Sequence, residues 1–235
     1  MSAQEINATI GMVKAAAARY YHATGQKLTF PQAVRKAKEE PYIPPFPSSL
    51  GFMETADFWS FIESIPLLPF KNHPRSATQK YPDYFGSFYL KEDTAFIAED
   101  DLTVYIHVPY VFDGVHTHDH FEINYVYHGQ CILCVNDQLE TLEEGTFFIL
   151  APDTPHNVYT EDDSLVISVN VRKSSFHAIF SPLLKLENHL SSFFKEAIYL
   201  KDYNGCILLG VNRSHAMQAY MQNLIVEYTQ NDSYH

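Results

Sequence analysis

Apolar and polar residues alternate with a period of two through the middle of the chain, from Leu102 to Val171. Such alternation is typical of β-strands that bury one face. Turn-forming pairs such as Asn136–Asp137 and Glu144–Gly145 separate the alternating segments and suit tight reversals. Several short strands at these intervals predict a sandwich or a barrel. The predicted strands span residues 102–108, 121–128, 131–135, 138–142, 146–151, 157–160 and 164–171.

The flanking segments follow a helical period instead. The last of them carries an apolar stripe that needs a partner surface: the barrel of the same chain, a second copy, or a segment beyond this one. The stripe consists of Met217, Tyr220, Met221, Leu224, Ile225 and Tyr228. The predicted helices span residues 4–22, about 31–40, 55–64, 174–180, 183–199 and 214–230.

The period changes divide the chain into three predicted parts. Residues 1–100 form a helical extension that is rich in proline and aromatic residues, residues 101–173 form the barrel, and residues 174–235 form C-terminal helices. The passage 66–89 is aromatic and proline-rich, and its sequence predicts no regular element.

Composition narrows the class of protein. With 235 residues, of which 46% are hydrophobic, the chain can bury a substantial core. A net charge of -12 argues against this segment gripping the DNA backbone by itself. Three cysteines are too few for a disulfide scaffold, and no leader or long apolar run is visible, so we expect a cytoplasmic protein without a membrane span. Cys131 and Cys134 are three residues apart on a strand and face opposite sides, which favours ordinary packing.

Metal-ligand residue types cluster near the middle of the chain. On one extended strand, His116, His118 and Glu122 would project together, with His120 and Asn124 on the same face. Together with His156 they offer three imidazoles and a carboxylate, which accept divalent Zn, Fe, Mn or Ni and leave positions open. The alternative is a polar pocket lining that binds an organic ligand directly. The candidate ligand-binding residues are His116, His118, Glu122, Asn124 and His156, and the candidate metal ligands are His116, His118, Glu122 and His156.

These residues resemble the two motifs of the cupins. The stretch from His116 to Glu122, with Gly129 seven residues further on, resembles the first motif. Gly145, with His156 eleven residues later, resembles the second motif. The resemblance covers about residues 102–171 and implies a mainly β, cupin-like double-stranded β-helix, or jelly-roll barrel, with helical extensions at both ends.

The chain departs from the cupin pattern at two places. Tyr110 stands where the family has a glycine six residues before the first histidine, and the segment 152–156 lacks the internal glycine of the second motif.

Within the cupins, residues 118–129 and 145–156 are similar to the sensor barrels of AraC/XylS-type bacterial transcription regulators. That resemblance implies binding of a small polar effector such as a sugar or organic acid, a homodimer, and no catalysis. It also implies that DNA is contacted only through helix-turn-helix units beyond this segment, since residues 223–235 resemble the helix and turn that precede them. The alternative function is a metal-dependent cupin enzyme, an isomerase or a dioxygenase.

Overall fold

Two five-stranded sheets form the centre of the molecule in the computed structural model, which describes residues 8–39, 53–65, 88–96, 100–112, 114–210 and 213–230. Sheet I has the strand order β1-β3-β8-β5-β6 and sheet II the order β10-β7-β4-β9-β2. All pairings between these ten strands are antiparallel except that of β1 with β3. The strands are β1 (Phe88–Leu90), β2 (Leu102–His107), β3 (His116–His118), β4 (Phe121–His128), β5 (Gln130–Val135), β6 (Gln138–Glu143), β7 (Thr146–Leu150), β8 (His156–Tyr159), β9 (Leu165–Val171) and β10 (Cys206–Gly210).

The sheets face each other across a shared interior. One part of this interior is an apolar core contributed by both sheets. No ladder between the described strands joins sheet I to sheet II, so hydrogen bonding does not close the two into a barrel. The apolar core consists of Val126, Cys131, Leu133, Leu142, Phe148, Leu150, Val158 and Val166.

Helices cover the outer face of sheet II in two groups. The N-terminal helices and the last helix bury Tyr125, Tyr127 and Ile167, whereas the fifth and sixth helices bury Phe121 and Ile149. The helices are α1 (Ile10–Thr24), α2 (Phe30–Glu39), α3 (Thr55–Ser64), α4 (Glu92–Ala95), α5 (Lys173–Leu184), α6 (His189–Tyr199) and α7 (His215–Gln230).

The seven predicted strands are all present, and their ends agree with the prediction to within one residue. The strands β1, β3 and β10 are not among the seven predicted. Described residues in helices outnumber those in strands, so the helical share is larger than a mainly β fold implies.

The predicted helix 183–199 is wrong as a single element. α5 continues through a kink at Phe180 to Leu184, and α6 begins after Asn188, whose side chain accepts a hydrogen bond from the backbone N–H of Ser191 at 2.8 Å. An asparagine cap of this kind starts a new helix. The predicted helix 4–22 corresponds to α1, and its first four residues lie outside the described residues, as does most of the passage 66–89.

The apolar stripe of the last helix packs back onto the same chain. Met221 and Ile225 are buried against the N-terminal helices and sheet II, and Met217 and Leu224 pack beside them. Tyr220, which was predicted in the stripe, is 70% exposed.

Backbone conformation explains two positions of the cupin-like motifs. Gly129 has a left-handed φ of 75°, which favours glycine. A Cβ atom there would also overlap the side chain of Ser164, so both the backbone and the packing require glycine. Tyr110, which replaces a motif glycine, also keeps a left-handed φ of 63°. Its ring is buried against those of Tyr21 and His22, with centroids 5.4 Å away in both cases.

Candidate functional site

Three strands from both sheets bring the predicted metal ligands together. His116 and His118 lie on β3, His156 lies opposite His116 on β8, and Glu122 lies on β4 in sheet II. The prediction that the first three share one strand is wrong, because the chain leaves sheet I after His118 and enters sheet II at Phe121. The side chains still converge, because they line facing surfaces of two sheets.

The cluster is compact and buried. One ligand atom from each of the four residues lies within 4.8 Å of the others, so the group could hold a metal ion. His118, Glu122 and His156 are each 1% exposed, whereas His116 is half-buried. The Oε2 atom of Glu122 lies 3.1 Å from Nε2 of His118 and 3.5 Å from Nε2 of His156.

Backbone carbonyl groups orient all three imidazole rings. Nδ1 of His118 lies 2.8 Å from the carbonyl oxygen of His120, and Nδ1 of His156 lies 2.8 Å from that of Thr154. Nδ1 of His116 lies 3.2 Å from the carbonyl oxygen of Gly114. A carbonyl oxygen only accepts, so each Nδ1 carries the proton and Nε2 is the ring nitrogen that can act as a ligand.

In this arrangement, lone pairs on the imidazole nitrogens face lone pairs on the carboxylate oxygens of Glu122. A neutral His118 with its proton on Nδ1 directs the lone pair of Nε2 at a carboxylate oxygen, which also only accepts. The buried Nε2 of His156 has no hydrogen-bond partner among the described residues. A proton or a metal cation between these atoms removes the repulsion, and the donor set therefore fits a divalent ion.

The pKa values of Glu122 and His116 are both lowered. Burial would raise the pKa of Glu122, but hydrogen bonds and charge attraction from His118 and His156, which act when Nε2 of these rings carries a proton, hold this pKa well below its ordinary value. Burial, together with the neighbouring His156, lowers the pKa of His116 well below its ordinary value. The site therefore favours an ionised carboxylate beside a neutral His116, which are the forms that bind metals.

A hydrogen-bonded network supports the carboxylate from the side of sheet II. The amide Nδ2 of Asn124 donates to Oε1 of Glu122 at 2.9 Å. The Ser168 hydroxyl donates to Oδ1 of Asn124, and Nε2 of His107 lies 2.7 Å from the Ser168 oxygen. Asn124, which was predicted to contact the ligand, thus uses its amide to hold Glu122. His107 and Ser168 were missed because isolated polar residues on predicted strands carry no spacing signal.

His120 lies beside the cluster but is not one of its four ligand residues. Its ring stacks on that of His118 with centroids 4.0 Å apart, and the ring of Phe96 packs edge-on at 5.1 Å. Burial lowers the pKa of His120 to about 4. His120 therefore acts as a neutral, packed side chain that fixes the plane of the His118 ring.

Comparison with known proteins decides the family. A profile of the AraC-like ligand binding domain matches residues 106–233, which is more than half of the chain. The chain belongs to this family. Among curated proteins, none is significantly similar in sequence.

Solved structures similar to this AraC-like domain include ToxT and cupins. Apo ToxT from Vibrio cholerae strain SCE256 is 15% identical over 57% of this chain and 50% of its own, with a TM-score of 0.41. An RmlC-like cupin from Shewanella frigidimarina is 19% identical over 30% of this chain and 66% of its own, with a TM-score of 0.26. The chain spans about half the length of ToxT.

No described helix of the AraC-like domain has the length and apolar character needed to cross a membrane.

Proposed function

We propose that this chain is the effector-sensing part of an AraC-type bacterial transcription regulator, with the three histidines and Glu122 as the effector site. The observation that carries the proposal is the double role of β4. Its inner face presents Glu122 to the cluster, while its outer face presents Tyr125 and Tyr127 to the helices. A ligand that shifts β4 therefore acts on the cluster and on the helices through a single strand.

A buried glutamine adds a polar link between β4 and the helices. Gln222 of α7 donates to the carbonyl oxygen of Met53 at 2.7 Å and to the Tyr127 hydroxyl at 2.6 Å. Its Oε1 atom accepts from the N–H of Met53 at 2.9 Å. The N-terminal extension, β4 and the last helix thus meet at the side chain of Gln222. A shift of β4 would change how these three parts are packed against one another.

We further propose that the cluster holds a divalent metal and presents it to the effector. The four ligand atoms lie within 4.8 Å of one another, and three imidazoles with one carboxylate suit Zn, Fe, Mn or Ni. A six-coordinate ion bound by four residues keeps two positions for oxygen atoms of a small sugar or organic acid.

The remaining parts of the proposal concern the rest of the regulator. The three-part division at residues 100 and 173 assigns the barrel to sensing and the flanking helices to readout and dimerisation. DNA contact belongs to helix-turn-helix units that follow this segment, since its net charge of -12 opposes binding to phosphates. A cytoplasmic location follows from that role.

A thermal-shift screen tests the proposal. The protein is stripped with a chelator, reloaded with Ni(II) or Mn(II), and screened against sugars and small organic acids, since a ligand of the folded form raises the melting temperature. We expect a hit whose effect is lost in His116→Ala and Glu122→Ala. The exposed His177→Ala is the matched control. A hit that both site variants retain places the effector elsewhere.

A metal-dependent enzyme is the second candidate, because three imidazoles and a carboxylate with open positions also suit an isomerase or dioxygenase. Turnover of a bound small molecule by the metal-loaded protein, absent from Glu122→Ala, would favour the enzyme over the sensor. A ligand recovered unchanged after prolonged incubation favours the sensor.

A further inference from the structure

The inner face of sheet II is polar on one side of Glu122 and apolar on the other. Directly opposite Glu122 on β7 lies Leu150, and directly opposite it on β9 lies Asn170, followed by Thr103 on β2. Directly paired residues of antiparallel strands place their side chains on the same face. A molecule bound at Glu122 therefore meets hydrocarbon towards β7 and polar side chains towards β9 and β2.

The next register level repeats this division. Asn124 lies opposite Phe148 on β7 and opposite Ser168 on β9, and Ser168 lies opposite Tyr105 on β2. Asn124 and Ser168 are hydrogen-bonded to each other. The amide of Asn170 also lies beside Glu122, but it takes no part in this hydrogen-bonded network.

Asn170 carries a buried acceptor without a partner. The residue is 8% exposed, and its Oδ1 atom makes no hydrogen bond within the described part of the chain. Leaving such a group unsatisfied costs about 1 to 3 kcal/mol, which a bound ligand recovers. A ligand hydroxyl fits this position whichever way the amide is turned, because a hydroxyl both donates and accepts.

Charge specifies the other end of the ligand. Three neutral imidazoles and one carboxylate leave a divalent ion with a net charge of about +1, so its open positions favour an anionic oxygen donor over a neutral one. A carboxylate satisfies this requirement. Leu150 and Phe148 are both fully buried, so they close the site towards β7, and a short carbon skeleton is directed towards β9 and β2, where Thr103 and Tyr105 are partly exposed.

We propose that the ligand of this site is a small hydroxylated carboxylic acid, whose carboxylate lies at the three histidines and Glu122 and whose hydroxyl is hydrogen-bonded by Asn170. This inference rests on the proposed function and narrows its effector class. A simple fatty acid would leave Asn170 unsatisfied, and a neutral sugar would lack the anion.

Matched pairs of acids that differ only in hydroxyl groups test the proposal. Calorimetric titrations of the Ni(II)-loaded protein compare lactate with propionate, malate with succinate, and gluconate with hexanoate. The variants are Asn170→Leu, which keeps the size of the side chain, and Asn170→Ala in case the first does not fold. Asn157→Leu is the matched control, because Asn157 is a similarly buried asparagine with an unpaired Oδ1, and on β8 it faces away from His156 and Val158.

We expect at least one hydroxylated acid to bind roughly 5- to 100-fold more tightly than its partner. Both Asn170 variants should abolish this preference, and Asn157→Leu should keep it. Equal binding of both members of every pair, lost in His156→Ala, would overturn the hydroxy acid but leave the proposed function standing. A preference that survives in the Asn170 variants would overturn the role of Asn170. Absence of binding by all six acids overturns the inference, and acid binding unaffected by His156→Ala counts against the cluster as the effector site.

Discussion

The Nε2 atom of His156 lies 3.5 Å from the Oε2 atom of Glu122, although β8 and β4 belong to different sheets. The two side chains connect sheet I to sheet II where no backbone ladder joins the described strands. A metal bound between them would therefore also tie the sheets together.

Replacing Glu122 by glutamine tests whether its carboxylate binds the metal. Glu122→Gln keeps the shape of the side chain but removes its charge, so we expect the affinity for Ni(II) to fall about 100-fold or more. Competition with a chromophoric chelator measures the affinity. The His177→Ala variant, at an exposed histidine, should bind as tightly as the wild type. Tight stoichiometric binding by Glu122→Gln would contradict the metal site.

The Ser168 hydroxyl is expected to act on the metal without touching it. Ser168→Ala removes one of the two partners of Oδ1 of Asn124 and leaves only Nε2 of His107, at 3.3 Å, so the amide that holds Glu122 is oriented less firmly. Loss of such an outer contact weakens metal binding roughly 10- to 100-fold. Ser191→Ala is the control, because Ser191 is also 0% exposed but lies on α6. The same competition assay should show an effect for Ser168→Ala and none for Ser191→Ala.

Gln222 holds the start of α3 against α7, so its loss should loosen the N-terminal extension. Gln222→Ala leaves the N–H and carbonyl of Met53 without their partner at a position that is 6% exposed. We expect a loss of about 2 to 4 kcal/mol in the free energy of unfolding, measured with urea. Hydrogen exchange near Met53 should accelerate, whereas Asn223→Ala, at the neighbouring exposed residue, should change neither quantity.

Mild acid should destabilise the metal-free protein. Burial lowers the pKa of His120 to about 4 and that of His116 well below its ordinary 6.5. Between pH 6.5 and 4 the unfolded chain binds more protons than the folded one, so stability is complete above pH 6.5 and is lost as the pH falls.

Urea unfolding with a chelator present measures this loss. From pH 7.5 to pH 5, the shifted pKa of His120 accounts for about 2 kcal/mol. His120→Phe removes this titration while keeping a ring between His118 and Phe96, so its pH dependence should be flatter. An unchanged pH dependence in His120→Phe would show that the histidine does not resist protonation in the folded protein.

Tyr110 combines an unfavourable backbone with a favourable side chain. A left-handed φ costs a non-glycine residue about 1 to 2 kcal/mol, which Tyr110→Gly would recover. The lost packing against Tyr21 and His22 costs more, about 3 to 5 kcal/mol for a large buried ring. We expect a net loss of about 2 kcal/mol in urea unfolding. Asp137→Gly, at an exposed turn residue with a φ of 64°, should be neutral or stabilising.

The strands were predictable because local signals agree along the chain. Between residues 102 and 171, a period of two coincides with turn residues whose left-handed conformations the structure contains, such as Asn136, Asp137 and Gly145. The strand β10 had no such signal, because Cys206–Gly210 is a short apolar segment between helices. It is specified by its pairing with β7, which lies more than 50 residues away in sequence.

The residues of the site could be predicted from the sequence, but the strands and sheets that position them could not. Residue types and motif spacing single out His116, His118, Glu122 and His156. Alternation alone cannot reveal that the chain changes sheets between His118 and Phe121, because this depends on the tertiary partners of β3 and β4. The support from His107 and Ser168 was equally invisible, since it depends on the register of β9 with β2 and β4.

The outward face of β6 offers a place for a reporter. Thr141 is exposed and points away from the apolar core between the sheets, whereas Leu142 beside it is buried there. A fluorophore attached through a cysteine at position 141, in a background without the partly exposed Cys134 and Cys206, would sit on the far surface from α7 and the N-terminal helices. Ligand occupancy could then be followed optically in the intact protein, with the helices on sheet II left unlabelled.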